Sequence, residues 1–364
     1  MLPEVSVFSD FLPLSSQSDR RRGRISSPAA SRAAGLAAAG TVAAVALPLG
    51  TLAPRVGAPI IALALGMAFA AATPAGRSLG GLGSISRAAL QVAIVLLGAT
   101  FSLSEVASVG ASSLPVMLAS LATALITAAL LGRQLGVPER LRILTGVGTG
   151  ICGASAIASV SGVIDAPARE IRYAISTIFA FNLAAVLLFP PLGHLLGMSP
   201  HAFGLWSGTA INDTSSVVAA GFAYSHAAGT YAVIVKLTRT TMIIPITLYL
   251  ATRTFRRRTT AQTGEQTGTA SSMAATLRRI MPWFLLWFLA ASATNSLGVF
   301  TPDVRAAFSH IGLALTTLAL AAVGLSSNLR ELRQTGTRPL ALGALVWIAV
   351  ATTSLALQAL TGAS

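Results

Sequence analysis

Residues 201–221, HAFGLWSGTAINDTSSVVAAG, decide the fold, because they set a carboxylate, Asp213, in the middle of a segment long enough to cross a bilayer. An ionisable side chain at that depth marks a functional site by default. Around it stand Gly204, Gly208, Thr209, Asn212, Thr214, Ser215 and Ser216. These suit a helix interior poorly but supply donors and acceptors where a membrane helix is broken and its backbone needs partners. Upstream, residues 145–162, TGVGTGICGASAIASVSG, repeat the pattern without the charge. Two interrupted membrane helices in one chain point to a transporter.

Composition agrees. Hydrophobic residues make up 54% of the 364-residue chain and charged residues 10%, with mean hydropathy +0.74, which is membrane composition. A net charge of +14 would suggest nucleic acid in a soluble protein. Here all but two of the 25 basic residues lie in termini and connections, with no interleaved aromatics to stack bases. Positive-inside topology accounts for them, and no nucleic-acid partner is expected. Cys152 is the only cysteine, and His194, His201, His226 and His310 lack ligand spacing, so neither a metal nor a cofactor is expected.

Taken in order, residues 1–32 read as a polar, Arg- and Ser-rich cytoplasmic tail without structure. Apolar segments follow at about 33–52, 57–72, 88–104, 112–131, 143–163, 173–190, 203–222, 230–250, 282–298, 308–326 and 339–360, each near the length of a tilted span. The first is too long for a signal sequence and reads as a retained anchor. The expected fold is therefore an all-α membrane protein of about eleven transmembrane helices, eight of them within 33–251. A flexible, Arg-flanked cytoplasmic linker at 252–281 separates these from the last three in 282–364. With the N-terminus inside, nineteen basic residues face the cytoplasm and four, Arg55, Arg169, Arg172 and Arg305, face outward, while Lys236 and Arg239 fall inside a span. That asymmetry predicts an external C-terminus.

LLGATFSLSEVASVG at 96–110 echoes AAVGLSSNLRELRQTG at 321–336. Seven spans lie between the two stretches, which sets them in opposite orientations, as in an inverted-repeat transporter. The two glycine-rich segments, however, come out parallel under this count. A five-plus-five inversion does not allow that, whereas a re-entrant segment would.

Gly148-Thr149-Gly150-Ile151-Cys152-Gly153 has G-x-G-x-x-G spacing, with Glu170 downstream. The dinucleotide fingerprint needs a strand before it and a helix after it in a soluble βαβ unit. Without that context Gly148, Gly150, Gly153 and Gly208 read as positions where backbone approaches backbone or substrate. Asp213 at a helix centre costs about 2.5–3.5 kcal/mol and must face a partner or water. Lys236, the only lysine, and Arg239 lie one turn apart in the next span and are the expected partners. The plainer reading is a salt bridge that only ties two helices together. Two cations against one carboxylate leave a positive charge for an anion. The expected substrate-binding set is Asp213, Asn212, Thr214, Thr209, Lys236, Arg239, Thr149, Cys152 and Ser155.

GTGICGASAIASVSGVI at 148–164, GLWSGTAINDTSSVVAAGFAYSHAAG at 204–229, IVKLTR at 234–239, PWF at 282–284 and NSLG at 295–298 closely resemble the YeiH-type family of bacterial membrane proteins, named as sulfate exporters. The likeness runs from about residue 57 to the end. It implies a multi-span inner-membrane carrier of the inverted-repeat class that includes bile-acid and sodium/proton carriers. Where that family usually reads Ile-His-Asp-Thr-Ala-Gln, this chain has Ile211-Asn212-Asp213-Thr214-Ser215-Ser216. If the histidine carries protons in relatives, this chain must use Asp213 or Lys236 or couple differently.

The sequence thus predicts a secondary transporter exporting a small anion such as sulfate or a sulfonate across the bacterial cytoplasmic membrane. Protons or sodium are the expected coupling ions, and a homo-oligomer is compatible with the fold. The alternative is a sodium- or proton-coupled cation antiporter with Asp213 as its ion site. An enzyme is not expected, since the chain has no membrane aspartate pair, Ser-His pairing or HExxH.

Overall fold

The computed structural model describes residues 28–53, 57–72, 79–259, 283–326 and 336–361, and every regular element among them is a helix. In chain order these are α1 (Pro28–Leu52), α2 (Ala58–Ala72), α3 (Leu82–Gly98), α4 (Leu103–Gln134), α5 (Glu139–Gly150), α6 (Ala154–Val163), α7 (Ala168–Leu195), α8 (Pro200–Ala210), α9 (Thr214–Tyr224), α10 (His226–Thr240), α11 (Ile243–Thr259), α12 (Trp283–Ser296), α13 (Pro302–Ser326) and α14 (Thr337–Thr361). Among the described residues, six stretches are long and apolar enough to cross a membrane: residues 31–52, α4, α7, the α10–α11 pair over 226–254, α13 and α14. Local signals set their starts. Ser102 and Glu105 form a capping box on α4, while Ser199 and Ser225 cap α8 and α10 with their hydroxyls.

Each apolar segment read from the sequence coincides with one helix or a consecutive pair, but the two glycine-rich segments do not run straight. A Cβ on Gly148 would lie 2.9 Å from Cδ1 of Ile157, so the chain reverses between α5 and α6. In the second segment a Cβ on Gly204 would meet the Ala228 carbonyl oxygen at 2.9 Å and one on Gly221 would meet Cα of Gly229 at 2.7 Å. A straight helix would hold residues 204 and 221 about 25 Å apart. The Phe203 and Tyr224 rings stack at 4.0 Å, closing the base of the hairpin. Half-helices of 10 to 12 residues reach about 15–18 Å, roughly half the hydrocarbon thickness.

The α10–α11 pair shows how the hairpins are set. The α8/α9 base lies against the start of α10, whereas the start of α5 lies by the far end of α11, where Glu139 and Arg253 approach to 4.0 Å. The two hairpins therefore enter from opposite ends of this span, and their tips meet at its middle.

Packing divides the helices into two groups, one of α1, α2, α3, α12 and α13 and the other of α4 to α11 with α14. Within the first group, Gly66 of α2 and Gly324 of α13 bring two backbones together, since a Cβ on either would lie 3.0 Å or less from main-chain atoms of the other helix. Between the groups, α9 rests on α2 and α13. The expected tail up to residue 27, the linker over 260–281 and residues 327–335 of the internal echo lie outside the described residues. Helix α1 starts at Pro28, earlier than the predicted boundary, and α11 runs to Thr259, into the expected linker.

Candidate functional site

The first hairpin turns at Ile151, Cys152 and Gly153. Gly153 has φ +70° and ψ −129°, a conformation open to glycine and costly for any residue with a Cβ. The second turns through extended Ile211 and Asp213. The tips touch, since a Cβ on Gly153 would sit 3.3 Å from Cβ of Asp213. Each tip leaves a helix C-terminus whose carbonyls and a helix N-terminus whose N–H groups lack intrahelical partners.

The C-terminal carbonyls are taken by α10. Arg239 donates from Nε to Gly150, from Nη1 to Thr209 and from Nη2 to Thr149, the last at 3.0 Å. Lys236 Nζ donates to the Ile211 carbonyl at 2.7 Å. Both side chains are fully buried. One guanidinium thus joins the ends of α5 and α8, and the two cations oppose the negative poles of both half-helices.

At the N-terminal end, Asp213 caps α9: its Oδ2 accepts from the Ser215 hydroxyl and from the Ser216 N–H, the latter at 3.3 Å. Its Oδ1 is buried without a partner. The expected ion pair of Asp213 with Lys236 or Arg239 is therefore not formed, because helix-end carbonyls take the cations and a helix-start N–H takes the carboxylate. Hydrogen bonds to neutral carbonyls orient both cations without cancelling their charge.

A cavity of about 120 Å³ opens beside Asp213. Its polar lining comes from Asp213, Ser215, Ser216 and Asn182, with apolar walls from α7 and from Leu63 of α2 and Leu320 of α13. It lies where the two helix groups meet. The expected site residues divide around it. Asp213 lines the cavity, and Thr214 is half-buried beside it as the first residue of α9. Cys152 is buried at the first tip. Thr149, Thr209, Lys236 and Arg239 stand outside the lining, on the carbonyl side of the tips. Ser155 is exposed and is not a lining residue, whereas its neighbour Ala154 is. Gly148 and Gly150 face Ile157 and Leu121, and Gly208 faces the Ala232 carbonyl and Val235, so these three serve helix packing.

Asn212 is buried, with its N–H bonded to Oδ1 of Asn182 at 3.1 Å and both of its own amide atoms without partners. Asn182 was not anticipated from the sequence. The available signal was a lone amide side chain in an otherwise apolar span. Among the described residues no cluster of His, Cys, Asp and Glu could hold a metal ion.

Comparison with known proteins finds relatives that are named as membrane proteins. The family model described as Conserved hypothetical protein 698 matches residues 34–343. A UPF0324 membrane protein of Fusobacterium nucleatum is 36% identical over 324 residues, covering 86% of this chain and 94% of the relative. UPF0324 membrane proteins of Streptococcus pyogenes serotype M6 and Streptococcus pneumoniae serotype 4 are 40% and 42% identical, covering 85% and 86% of this chain and 91% and 93% of theirs. The chain belongs to this family of membrane proteins, the YeiH family that its tip motifs resemble.

Proposed function

We propose that the protein is a secondary transporter for a small anion such as sulfate or a sulfonate, with a proton or sodium ion taken up at Asp213. The observation that carries this reading is the meeting of two half-length hairpins from opposite sides, beside a cavity into which one tip presents a carboxylate. Such a site reaches the membrane interior from both faces and needs only small movements to expose it to either. The starts of α6 and α9 suit an oxyanion, while the unpaired Oδ1 suits a cation or proton. One feature favours the second reading, a cation antiporter: both buried cations are committed to carbonyls, so Asp213 alone supplies full charge to the lining. Flux of labelled sulfate and of a sulfonate into proteoliposomes, driven in turn by proton and sodium gradients, separates the two. Anion flux that follows one of these gradients is expected. Proton or sodium exchange without any anion dependence would replace the anion carrier by the antiporter.

With both hairpins re-entrant, the proposed topology has nine crossings. Nine is odd, as eleven is, so the N-terminus stays cytoplasmic and the C-terminus external. Arg169 and Arg172 now follow α6 back to the inner face, leaving Arg55 and Arg305 outside, a sharper positive-inside split. Hairpins entering from opposite faces also support an inverted architecture in the bacterial inner membrane. A reporter fused after residue 364 should work only if it matures outside the cytoplasm. Cytoplasmic fluorescence from that fusion would overturn the topology.

A further inference from the structure

We propose that Thr209, Ser354 and Gln358 form a water-fed polar path to the tip of the α8/α9 hairpin, separate from the cavity at Asp213. The buried face of α14 repeats every four residues as Leu342, Val346, Val350, Ser354 and Gln358. Its first three members are apolar and its last two polar, and the change comes level with Thr209. All three residues of the path are nearly or fully buried.

Hydrogen-bond directions show what the path lacks. The Thr209 hydroxyl donates its one proton to the Leu205 carbonyl at 2.6 Å, so across the 2.7 Å contact with Ser354 it accepts. Ser354 in turn accepts from Nε2 of Gln358 at 3.2 Å. Oε1 of Gln358 is left buried with no partner. Turning the amide over only exchanges which of its two ends is unpaired. Ser113, Ser120 and Ser207 donate to carbonyls in their own preceding turn and Ser292 donates to the Phe101 carbonyl, whereas Ser354 bonds to side chains on both sides.

An unpaired amide atom in an interior is costly, and a resident water removes that cost where polar partners surround it. The supply is close. Gln358 lies one turn from Thr361, where α14 ends and residues 359–361 are exposed. From there to Ser354 is about 10 Å along the helix. The path approaches the tip from the α8 side, where Arg239 holds the Thr209 carbonyl, while the cavity lies on the α9 side.

Silver ion, close to water in size, reports hydration of engineered thiols without any transport assay. Full-length variants Gln358→Cys, Ser354→Cys and Val350→Cys in membrane vesicles are treated with silver nitrate, then denatured, and the remaining thiols are counted with a maleimide. The unsubstituted protein supplies the Cys152 background, and Thr361→Cys marks full access. The thiols at 358 and 354 should be blocked at least about tenfold faster than the thiol at 350, because access to water governs thiolate reactivity. Ser354→Cys changes a single atom, so it keeps the test decisive if Gln358→Cys elutes as misfolded protein. Equal protection at 354 and 350, with 361 reactive, would overturn the path. Failure here leaves the transport reading at Asp213 untouched, since the two rest on different residues.

Discussion

Replacing Arg239 with glutamine is expected to destabilise the protein by about 3–5 kcal/mol, from carbonyls left without donors and a lost counter-charge at two helix ends. The guanidinium donates to three carbonyls on two different half-helices. The side chain is fully buried. Each carbonyl left without a donor adds about 1–3 kcal/mol, and a glutamine amide can satisfy one of them, or two at most. Loss of the charge also removes the counter-ion to two helix C-termini, worth up to about 2 kcal/mol in a partly buried setting. A thermal melt of the detergent-purified variant should fall well below wild type. Arg239→Lys should lie between the two, because an ammonium presents its donors at one point and cannot bridge the ends of α5 and α8 together. Lys236→Met should cost less than either, as it releases only the Ile211 carbonyl. A glutamine variant melting with wild type would mean that the tips hold together without this clamp.

The same clamp explains how much of the site the sequence disclosed. Both tips, the carboxylate and the two cations were legible, because polar residues in membrane-length apolar segments admit few other readings. Their pairing was not. Charge counting matches Asp213 to Lys236 and Arg239, whereas the partners of both cations are main-chain carbonyls, which carry no sequence signature. The clue lay one step away: a helix broken in a membrane leaves acceptors at its C-terminal half that some donor must meet. The reversals at residues 151–153 and 211–213 were hidden for a different reason. Two eleven-residue half-helices have the same length and composition as one straight span, so hydropathy cannot separate them. Only parity could, since the two glycine-rich segments came out parallel when both were counted as crossings. Gly153 marked the first turn, but its left-handed φ is a property of backbone geometry, and 33 glycines in the chain do not say which one bends.

Exchanging Asp213 for asparagine is expected to abolish transport while leaving the fold intact, and the two halves of that result have separate causes. Asparagine caps helices as well as aspartate does. Its carbonyl oxygen can keep the Ser216 N–H and the Ser215 hydroxyl, the two bonds that tie the α9 start to the tip. The side-chain volume is unchanged, so contact with Gly153 survives and the melting temperature should stay close to wild type. The negative charge of a cavity-lining residue and its unpaired Oδ1 acceptor are lost. If a proton or sodium ion binds there, the variant has no site for it, and gradient-driven flux in proteoliposomes should drop to the level of empty liposomes. Wild-type flux from Asp213→Asn would reduce the carboxylate to a helix cap. Loss of folded protein would mean instead that its charge holds the crossing of the tips together, opposing the N-terminal poles of α6 and α9 as Arg239 and Lys236 oppose the C-terminal poles of α5 and α8.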